Sequence, residues 1–437
     1  MLPALRKPPP YIVGLALAVL ASASTWFYMN RILRAQQIAD AAVHGRPRGN
    51  LSDLYPRWLG ARELLRHGRN PYSAEITREI QQGYYGRPLD PARADDPKDQ
   101  QGFAYPAYVV FLLAPTVDLP FDLVQTSFRW LLLGLAGGTV LLYLYVLGWK
   151  PSSGTAAILI VLMLGWVPMV QGIKLQQLSL LVAGLLAACG ACLAGGWLLL
   201  AGGLLALATI KPQLTWPAVF WLLLWATSEW RARRRLVFGF GLGMLLLLGG
   251  AQWLLPGWLR MFAEAIGQYH RYTQNQSVLV GLFGSIAGRM VEAMSLLGCA
   301  ICVWRVRGEP ATSASFGRAL GLVLALTVVI VPMFAPYNQV LLAPAILAGL
   351  RKESEGEPIL PAIRLARAVG GALLVWPWIA TMGLSLAYIW LTPELRQRVW
   401  PMPFYSNFMV PVLVFGLALL DTGMSVARGL PDSAAAE

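Results

Sequence analysis

Four kinds of residue in this chain could do chemistry. Asp53 opens Ser52-Asp53-Leu54-Tyr55-Pro56-Arg57-Trp58, a segment that reads as a helix running to about His67. A carboxylate there is a candidate site residue, but Ser or Asp ahead of a helix is also an ordinary N-cap. Lys211, in Ile210-Lys211-Pro212-Gln213, sits between two apolar runs. It could contact a phosphate, or it could snorkel to a membrane interface. Lys174, near Gln176 and Gln177, poses the same choice, and His270 could titrate, bind phosphate or lie solvated in a loop. Cys189, Cys192, Cys299 and Cys302 form two C-x-x-C pairs. The pairs are far apart and each lies inside an apolar run, so they read as small packing residues rather than a zinc or redox site. With three histidines and none spaced with acids on a helix, no metal site is supported. There is no phosphate-binding Walker loop, no dinucleotide-binding glycine motif and no serine-nucleophile elbow.

The elements that must position these residues are membrane helices. Of 437 residues, 57% are hydrophobic and 13% charged, against about 25% charged in soluble domains. The long apolar runs are rich in Leu, Ala and Gly without period-2 alternation. In lipid the backbone must bond to itself, so such runs are helices. The net charge of +13 fits basic flanks of membrane spans, not nucleic-acid binding. Arg6 and Lys7 precede a run beginning at Tyr11, and Ala21-Ser22-Ala23 resembles a signal-peptidase site. The run continues through Trp26, Phe27 and Met29, which makes an uncleaved first span.

A polar stretch comes next, from about Asn30 to Gly102. Later apolar segments are expected at roughly 103–118, 122–148, 154–170, 177–194, 196–210, 213–228, 236–255, 278–304, 317–333, 337–350, 366–391 and 407–427. The basic cluster Arg231, Arg233, Arg234 and Arg235 belongs inside. Six segments lie between the outer stretch and that cluster, yet an odd number must cross. The segment 103–118, short and carrying Pro106 and Pro115, is assigned as re-entrant or surface-bound. The expectation is therefore an all-α polytopic protein of about twelve spans. It is one integral membrane domain over 1–437, with both termini inside and a long first outer loop at 30–102. The unusual polar residues then collect on the outer side, which places function there. Asp90, Asp95, Asp96 and Asp99 fall in a Pro- and charge-rich part of the loop that reads as solvated linker.

Taken in order, the motifs resemble glycosyltransferase family 87, of the C-type superfold that uses polyprenyl-phosphate sugars. They are Asp53-Leu54-Tyr55 after the first span, Gly68-Arg69-Asn70-Pro71-Tyr72, Phe103-Ala104-Tyr105-Pro106, Gln176-Gln177-Leu178-Ser179, Lys211-Pro212-Gln213 and Pro336-Tyr337-Asn338-Gln339. Ala107 stands where the family has a second Pro, Gln176 where it tends to have Gly, and Asn338-Gln339 where many members carry His. The resemblance implies a sugar donor on polyprenyl phosphate, often mannose. It also implies a glycan or glycolipid acceptor at the outer face of the inner or plasma membrane. Asp53 maps to the catalytic base. Lys211, Lys174, Arg57 and His270 could hold the donor phosphate, and Tyr105, Gln177, Gln213, Asn338 and Gln339 could line the substrate. No cofactor is required, since no nucleotide diphosphate has to be neutralised. The alternatives are a lipid-linked sugar flippase or transporter, which should carry ionisable residues in mid-span, and a polysaccharide polymerase or ligase, which should carry more Arg.

The basic-cluster parity makes a test. Accessibility tags in the 231–235 loop and at the C-terminus should label only from the cytoplasm, and a tag near residue 90 only from outside. Outside labelling at 231–235 would reverse the orientation.

Overall fold

The computed structural model describes residues 10–45, 52–90, 92–273, 276–332, 335–355 and 361–428, and every regular element among them is helical. Arg6 and Lys7, the expected N-terminal basic flank, lie outside the described residues. Helix α1 (Pro10–Phe27) passes through one π-helical stretch, Tyr28–Leu33, into α2 (Arg34–Val43). Together they form one helical rod of 33 residues, Tyr11–Val43, with an apolar stretch long enough to cross a membrane. The polar stretch therefore begins as helix, not as loop at Asn30. The reason is that Tyr28, Met29, Ile32 and Leu33 stay buried, packed with Val167, Val170 and Leu384, and the Tyr28 hydroxyl donates to Trp400 O at 2.5 Å.

The rest of the 30–102 region is built, not loose. Helix α3 (Tyr55–His67) starts with Pro56 in its first turn and stops at Gly68. Gly68 has φ 65°, and the Gly68 and Arg69 amides return to Leu64 O and Glu63 O at 3.1 Å each, a left-handed stop suited to glycine. Helix α4 (Ala74–Tyr85) is capped by Ser73, whose Oγ accepts from Ile76 N at 3.2 Å. Arg69 staples the two helices, donating to Glu63 at 2.8 Å and Glu79 at 2.5 Å. The stretch after α4 corrects the solvated-linker expectation. Arg87 pairs with Asp96, whose side chain is 5% exposed. Asp96 Oδ2 also accepts from Asp90 N at 2.8 Å, and the Arg87 hydrogen bond holds the Asp96 carboxyl well below the usual carboxylate range. Gln81 Nε2 and the Tyr85 hydroxyl then grip Gln100 O and Asp99 O at 3.1 and 2.8 Å.

The 103–118 segment contains α5 (Val109–Leu113) and a 3-10 turn, Ala114–Thr116. Five α-helical residues rise only about 7.5 Å, far short of a bilayer. Next come α6 (Phe121–Val146), α7 (Ser153–Leu164) and α8 (Val167–Lys174). The last two are bent by 54° at a break. Gly165 lies against Ser22 with no room for a Cβ, and Pro168 opens α8. The bundle continues with α9 (Leu178–Ala194), α10 (Leu198–Ala208), α11 (Pro212–Ser228), α12 (Trp230–Leu254) and α13 (Trp258–Thr273). The expected 278–304 span is divided at Gly284, φ 81°, into α14 (Val278–Phe283) and α15 (Ser285–Val306). After α16 (Ala314–Ile330), the 337–350 segment is a 3-10 stretch, Pro336–Leu342, feeding α17 (Ala343–Ser354). Helices α18 (Pro361–Ala387), α19 (Pro393–Val399) and α20 (Met409–Arg428) finish the bundle.

Six stretches among the described residues are long and apolar enough to cross a membrane, or seven if the bent α7–α8 pair is one span. The expected twelve is not reached by length, because α9, α10 and α16 are short apolar helices and other segments are broken at glycine or by 3-10 geometry. All four cysteines are free thiols on α9 and α15. Among the described residues no three metal-ligating side chains group together.

The two ends of the bundle differ. Lys211 precedes α11, and Arg233 lies just past its other end, about 25 Å away for 17 residues. Arg233 is buried and donates to Trp225 O, Arg307 O, Gly308 O and Glu309 O at 2.8–3.0 Å. Its guanidinium stacks 4.0 Å from the Trp225 ring. It thus ties the ends of α11 and α15 together.

Helices α10 and α12 touch through glycine. A Cβ on Gly239 would collide with the Leu199 backbone, and one on Gly202 with the Leu236 and Phe240 backbones; small residues permit this approach in membranes. Gly243 packs on Ala206 in the same seam, whereas Gly241 faces open space. Gly239→Val should lower stability by about 1–3 kcal/mol, as overpacking does. Gly203→Ala, where a Cβ meets nothing, should not. Thermal unfolding in detergent checks this, and equal melting of both variants would refute the close seam.

Candidate active site

The site is assembled from four short breaks between helices. The first is the turn before α3. Asp53 N donates to Leu175 O at 3.0 Å and Ser52 Oγ to the same oxygen at 3.3 Å. The base of α3 is thereby fastened to the α8–α9 corner. Leu54, not Asp53, is the N-cap, and no side chain caps the helix. The Asp53 carboxylate is instead spent on side chains: Oδ1 accepts from the Tyr84 hydroxyl at 3.1 Å and Oδ2 from Gln177 Nε2. Burial keeps the Tyr84 phenol well above the usual tyrosine range, and the neighbouring Asp53 charge adds to this, so Tyr84 remains a donor.

The second break is the α8–α9 corner. Gln176 has φ 48°, in the left-handed region that favours glycine. This explains why a glycine suits the position in the resembled motif. Here the turn is held by its own side chain, with Gln176 Nε2 donating to Ile173 O and Lys174 O at 2.6 and 2.8 Å. Gln125 Nε2 in turn donates to Gln176 Oε1 at 3.2 Å. The turn brings Gln177 and Ser179 inward, both buried.

The third break, between α10 and α11, carries Lys211, which is 3% exposed. A buried ammonium needs hydrogen-bond partners, and it has them. Nζ donates to Ser179 Oγ at 2.6 Å and lies 3.4 Å from Gln177 Oε1. It also stands 5.3 Å from the Tyr337 ring centroid. Snorkelling is therefore not what this lysine does. The Tyr108 hydroxyl fixes the turn by donating to Thr209 O at 2.8 Å. The fourth break is the 3-10 stretch Pro336–Leu342, where Asn338 Oδ1 accepts from Ser179 Oγ at 2.9 Å.

These contacts form one chain: Tyr84, Asp53, Gln177, Lys211, Ser179 and Asn338. Arg57 and Tyr105 flank it. The Arg57 guanidinium lies 4.6 Å over the Tyr105 ring, and its NH1 donates to Asp53 O at 2.7 Å. Arg57 Nε is buried with no hydrogen-bond partner among the described residues. Tyr105 is placed by Tyr72, whose hydroxyl donates to Tyr105 O at 2.6 Å, and by Phe103, which packs edge-on to Tyr72 at 5.2 Å and under Gly60. Two sequence motifs, Gly68–Tyr72 and Phe103–Pro106, thus act as supports for Tyr105.

Other expected members share no side-chain hydrogen bond with this chain of contacts among the described residues. Lys174 Nζ donates to Gln37 Oε1 at 3.0 Å, joining α8 to α2 rather than to Asp53. His270 is exposed on α13 beside Tyr269. Gln339 is buried and donates to Asn407 O at 2.9 Å, a tie to the start of α20. Gln213 is half-buried in the first turn of α11 and makes no side-chain hydrogen bond among the described residues. Conversely, sequence reasoning misses Tyr84 and Asp99, while Ser179 and Tyr337 sit without an assigned role inside motifs it does single out. Asp99 is within electrostatic reach of Asp53 and Arg57, and burial raises its carboxyl above the usual range. The Gln101 amide and Arg57 oppose that rise, and Asp53 adds to it.

Chemically, the arrangement sets a carboxylate and an ammonium on either side of a single glutamine, with the Arg57 guanidinium alongside. Residues 103–350 match the model of glycosyltransferase family 87. No curated protein and no solved structure matches the chain. Tyr105, Gln177, Lys211 and Asn338 fall inside the matched stretch, while Asp53, Arg57 and Tyr84 precede it. With more than half of its length matched and those residues gathered in a bundle of apolar helices, the chain belongs to glycosyltransferase family 87 and is a membrane glycosyltransferase.

Proposed function

We propose that the protein transfers a sugar, mannose or another hexose or pentose, from a polyprenyl-phosphate donor to a glycan or glycolipid at the outer face of the inner or plasma membrane. The observation that carries this reading is the Gln177 bridge. It sets Asp53 and Lys211 on either side of one side-chain amide, with Arg57 alongside. Sugar transfer from a phosphate ester needs both kinds of group at once.

In this reading the acceptor hydroxyl attacks the anomeric carbon and Asp53 takes its proton. The bond from the anomeric carbon to the phosphate oxygen breaks, and the electron pair leaves with polyprenyl phosphate. Lys211 and Arg57 stabilise that developing charge. Arg57 Nε is a donor without a partner among the described residues, as a group reserved for an anion would be. The anomeric configuration inverts because the step is a single displacement. A monophosphate leaving group served by two cations needs no metal. The wider frame belongs to the same proposal: one membrane domain of the C-type glycosyltransferase fold, twelve crossings counted with the short and broken helices, termini inside, and the 30–102 region outside.

The test is transfer in membranes from radiolabelled polyprenyl-phosphate sugars. Asp53→Asn should keep donor binding and lower turnover by about 10² or more, the range for a lost general base. Lys211→Met, close in volume but uncharged, should weaken donor binding or turnover by about tenfold or more, as loss of a charged hydrogen bond does. Normal turnover by Asp53→Asn would defeat the mechanism.

A further inference from the structure

The Asp53 carboxylate is held from two sides, and only one of the holds belongs to the Gln177 bridge. The bond between Cβ and a carboxyl group is a soft rotor, so a lone carboxylate has no fixed plane. The α8–α9 corner supplies the first hold. Leu175 O accepts from Asp53 N at 3.0 Å, and Gln177 Nε2 donates to Oδ2. The second hold comes from a different element. The Tyr84 hydroxyl of α4 donates to Oδ1 at 3.1 Å. Each carboxylate oxygen thus has its own donor, one from the bundle and one from the segment that follows the first helix.

Helix α4 is built to deliver that hydroxyl. Ile76, Ile80 and Tyr84 recur every four residues, which puts them on one face, and all three are buried. The two isoleucines join the main core, so the same face carries Tyr84 inward. Gly83 lets α4 settle against α3, since a Cβ there would overlap the Tyr55 hydroxyl. Tyr55 is two residues from Asp53, so this close approach also brings Tyr84 within reach of the carboxylate. The Tyr84 ring packs edge-on to Tyr85 at 4.8 Å, but Tyr85 sends its own hydroxyl to Asp99 O at 2.8 Å. The two adjacent tyrosines are equally buried, at 3% exposed each, and differ in what their hydroxyls hold. A ring needed only for packing would be served by phenylalanine. A phenol kept protonated by burial and aimed at a carboxylate does something packing does not require.

We propose that Tyr84 is a positioning residue for the transfer step, its hydroxyl fixing Asp53 Oδ1 so that the carboxylate keeps one orientation toward the acceptor hydroxyl. This rests on the proposed function, which makes Asp53 the base. Tyr84 takes no proton in the step and acts through Asp53. With Oδ1 held from α4 and Oδ2 from the bundle, turning the carboxylate breaks both hydrogen bonds, so the base is oriented before the substrate arrives. Turnover then depends on the fold of the segment after the first helix as well as on the bundle.

Tyr84→Phe removes the hydroxyl and keeps the ring. Tyr85→Phe does the same one residue away, so the stability cost of deleting one buried hydroxyl falls on both variants. Two measurements on the full chain in nanodiscs separate the roles. The first needs no substrate: solid-state NMR of carbon-13-labelled aspartate reads the order of the Asp53 carboxyl group, with its signal assigned by loss in Asp53→Asn. Tyr84→Phe should lower that order, and Tyr85→Phe should leave it as in wild type. The second is transfer from radiolabelled polyprenyl-phosphate sugars. Tyr84→Phe should lower kcat about tenfold, the scale of a lost hydrogen bond to a charged group. Its KM for the donor should be unchanged, because the bond orients the base and does not hold the donor. Tyr85→Phe should turn over like wild type. An Asp53 carboxyl group as ordered in Tyr84→Phe as in wild type, an unchanged kcat, a rise in KM in place of the fall in kcat, or an equal loss with Tyr85→Phe would each overturn the inference. If the carboxyl order responds as expected but wild type transfers nothing from any polyprenyl-phosphate sugar, the proposed donor is wrong and Tyr84 stands as the residue that orients Asp53.

Discussion

An ammonium group enclosed by apolar helices must be solvated by the protein itself, and that constraint organises this molecule. Leaving a charge unpaired in such surroundings costs several kcal/mol. Lys211 meets the demand with a serine hydroxyl, a glutamine oxygen and an aromatic face. These partners come from breaks in the helical backbone. The breaks at the α8–α9 corner, at the α10–α11 turn and in the 3-10 stretch before α17 therefore supply the lysine's partners rather than being defects of regular structure. Irregular backbone at membrane depth is tolerated where it is covered by protein.

The glutamine does more than satisfy the lysine. Its amide has a donor end and an acceptor end, and the two are occupied by Asp53 and Lys211. A direct ion pair would neutralise both groups and hold them in contact. An intervening amide keeps them apart by the width of one side chain while fixing both orientations. In the proposed mechanism, that spacing suits a bound substrate that has to reach a base on one side and a cation on the other. The cost of this polarity is confined to one end of the bundle, since the opposite end uses its buried arginine to collect backbone carbonyls.

The segment after the first helix shows why composition alone misleads. Its prolines and charges have the look of a solvated linker, yet Arg87 and Asp96 form an internal pair, and Gln81, Tyr84 and Tyr85 of α4 fasten Gln100, Asp53 and Asp99 around it. Charged residues in a loop fold it when they find each other, and pairing is invisible to composition.

The class of the protein was legible in its sequence. Apolar runs of membrane length admit only helices, so element type came directly from them, and the order of short motifs carried the family, which the match over 103–350 bears out. The motifs also held most of the converging residues: Asp53, Arg57, Tyr105, Gln177, Lys211 and Asn338. Which boundary residues meet was decided by the tertiary structure alone. Lys174 and Lys211 look alike in sequence, each a lysine beside an apolar run, but one reaches Gln37 and the other is enclosed with Ser179 and Gln177. Helices apolar on all sides carry no amphipathic stripe to say which face turns inward. The facing of each helix is set by glycine seams and by breaks at Gly165, Gln176 and Gly284, where the chain's direction depends on what it packs against.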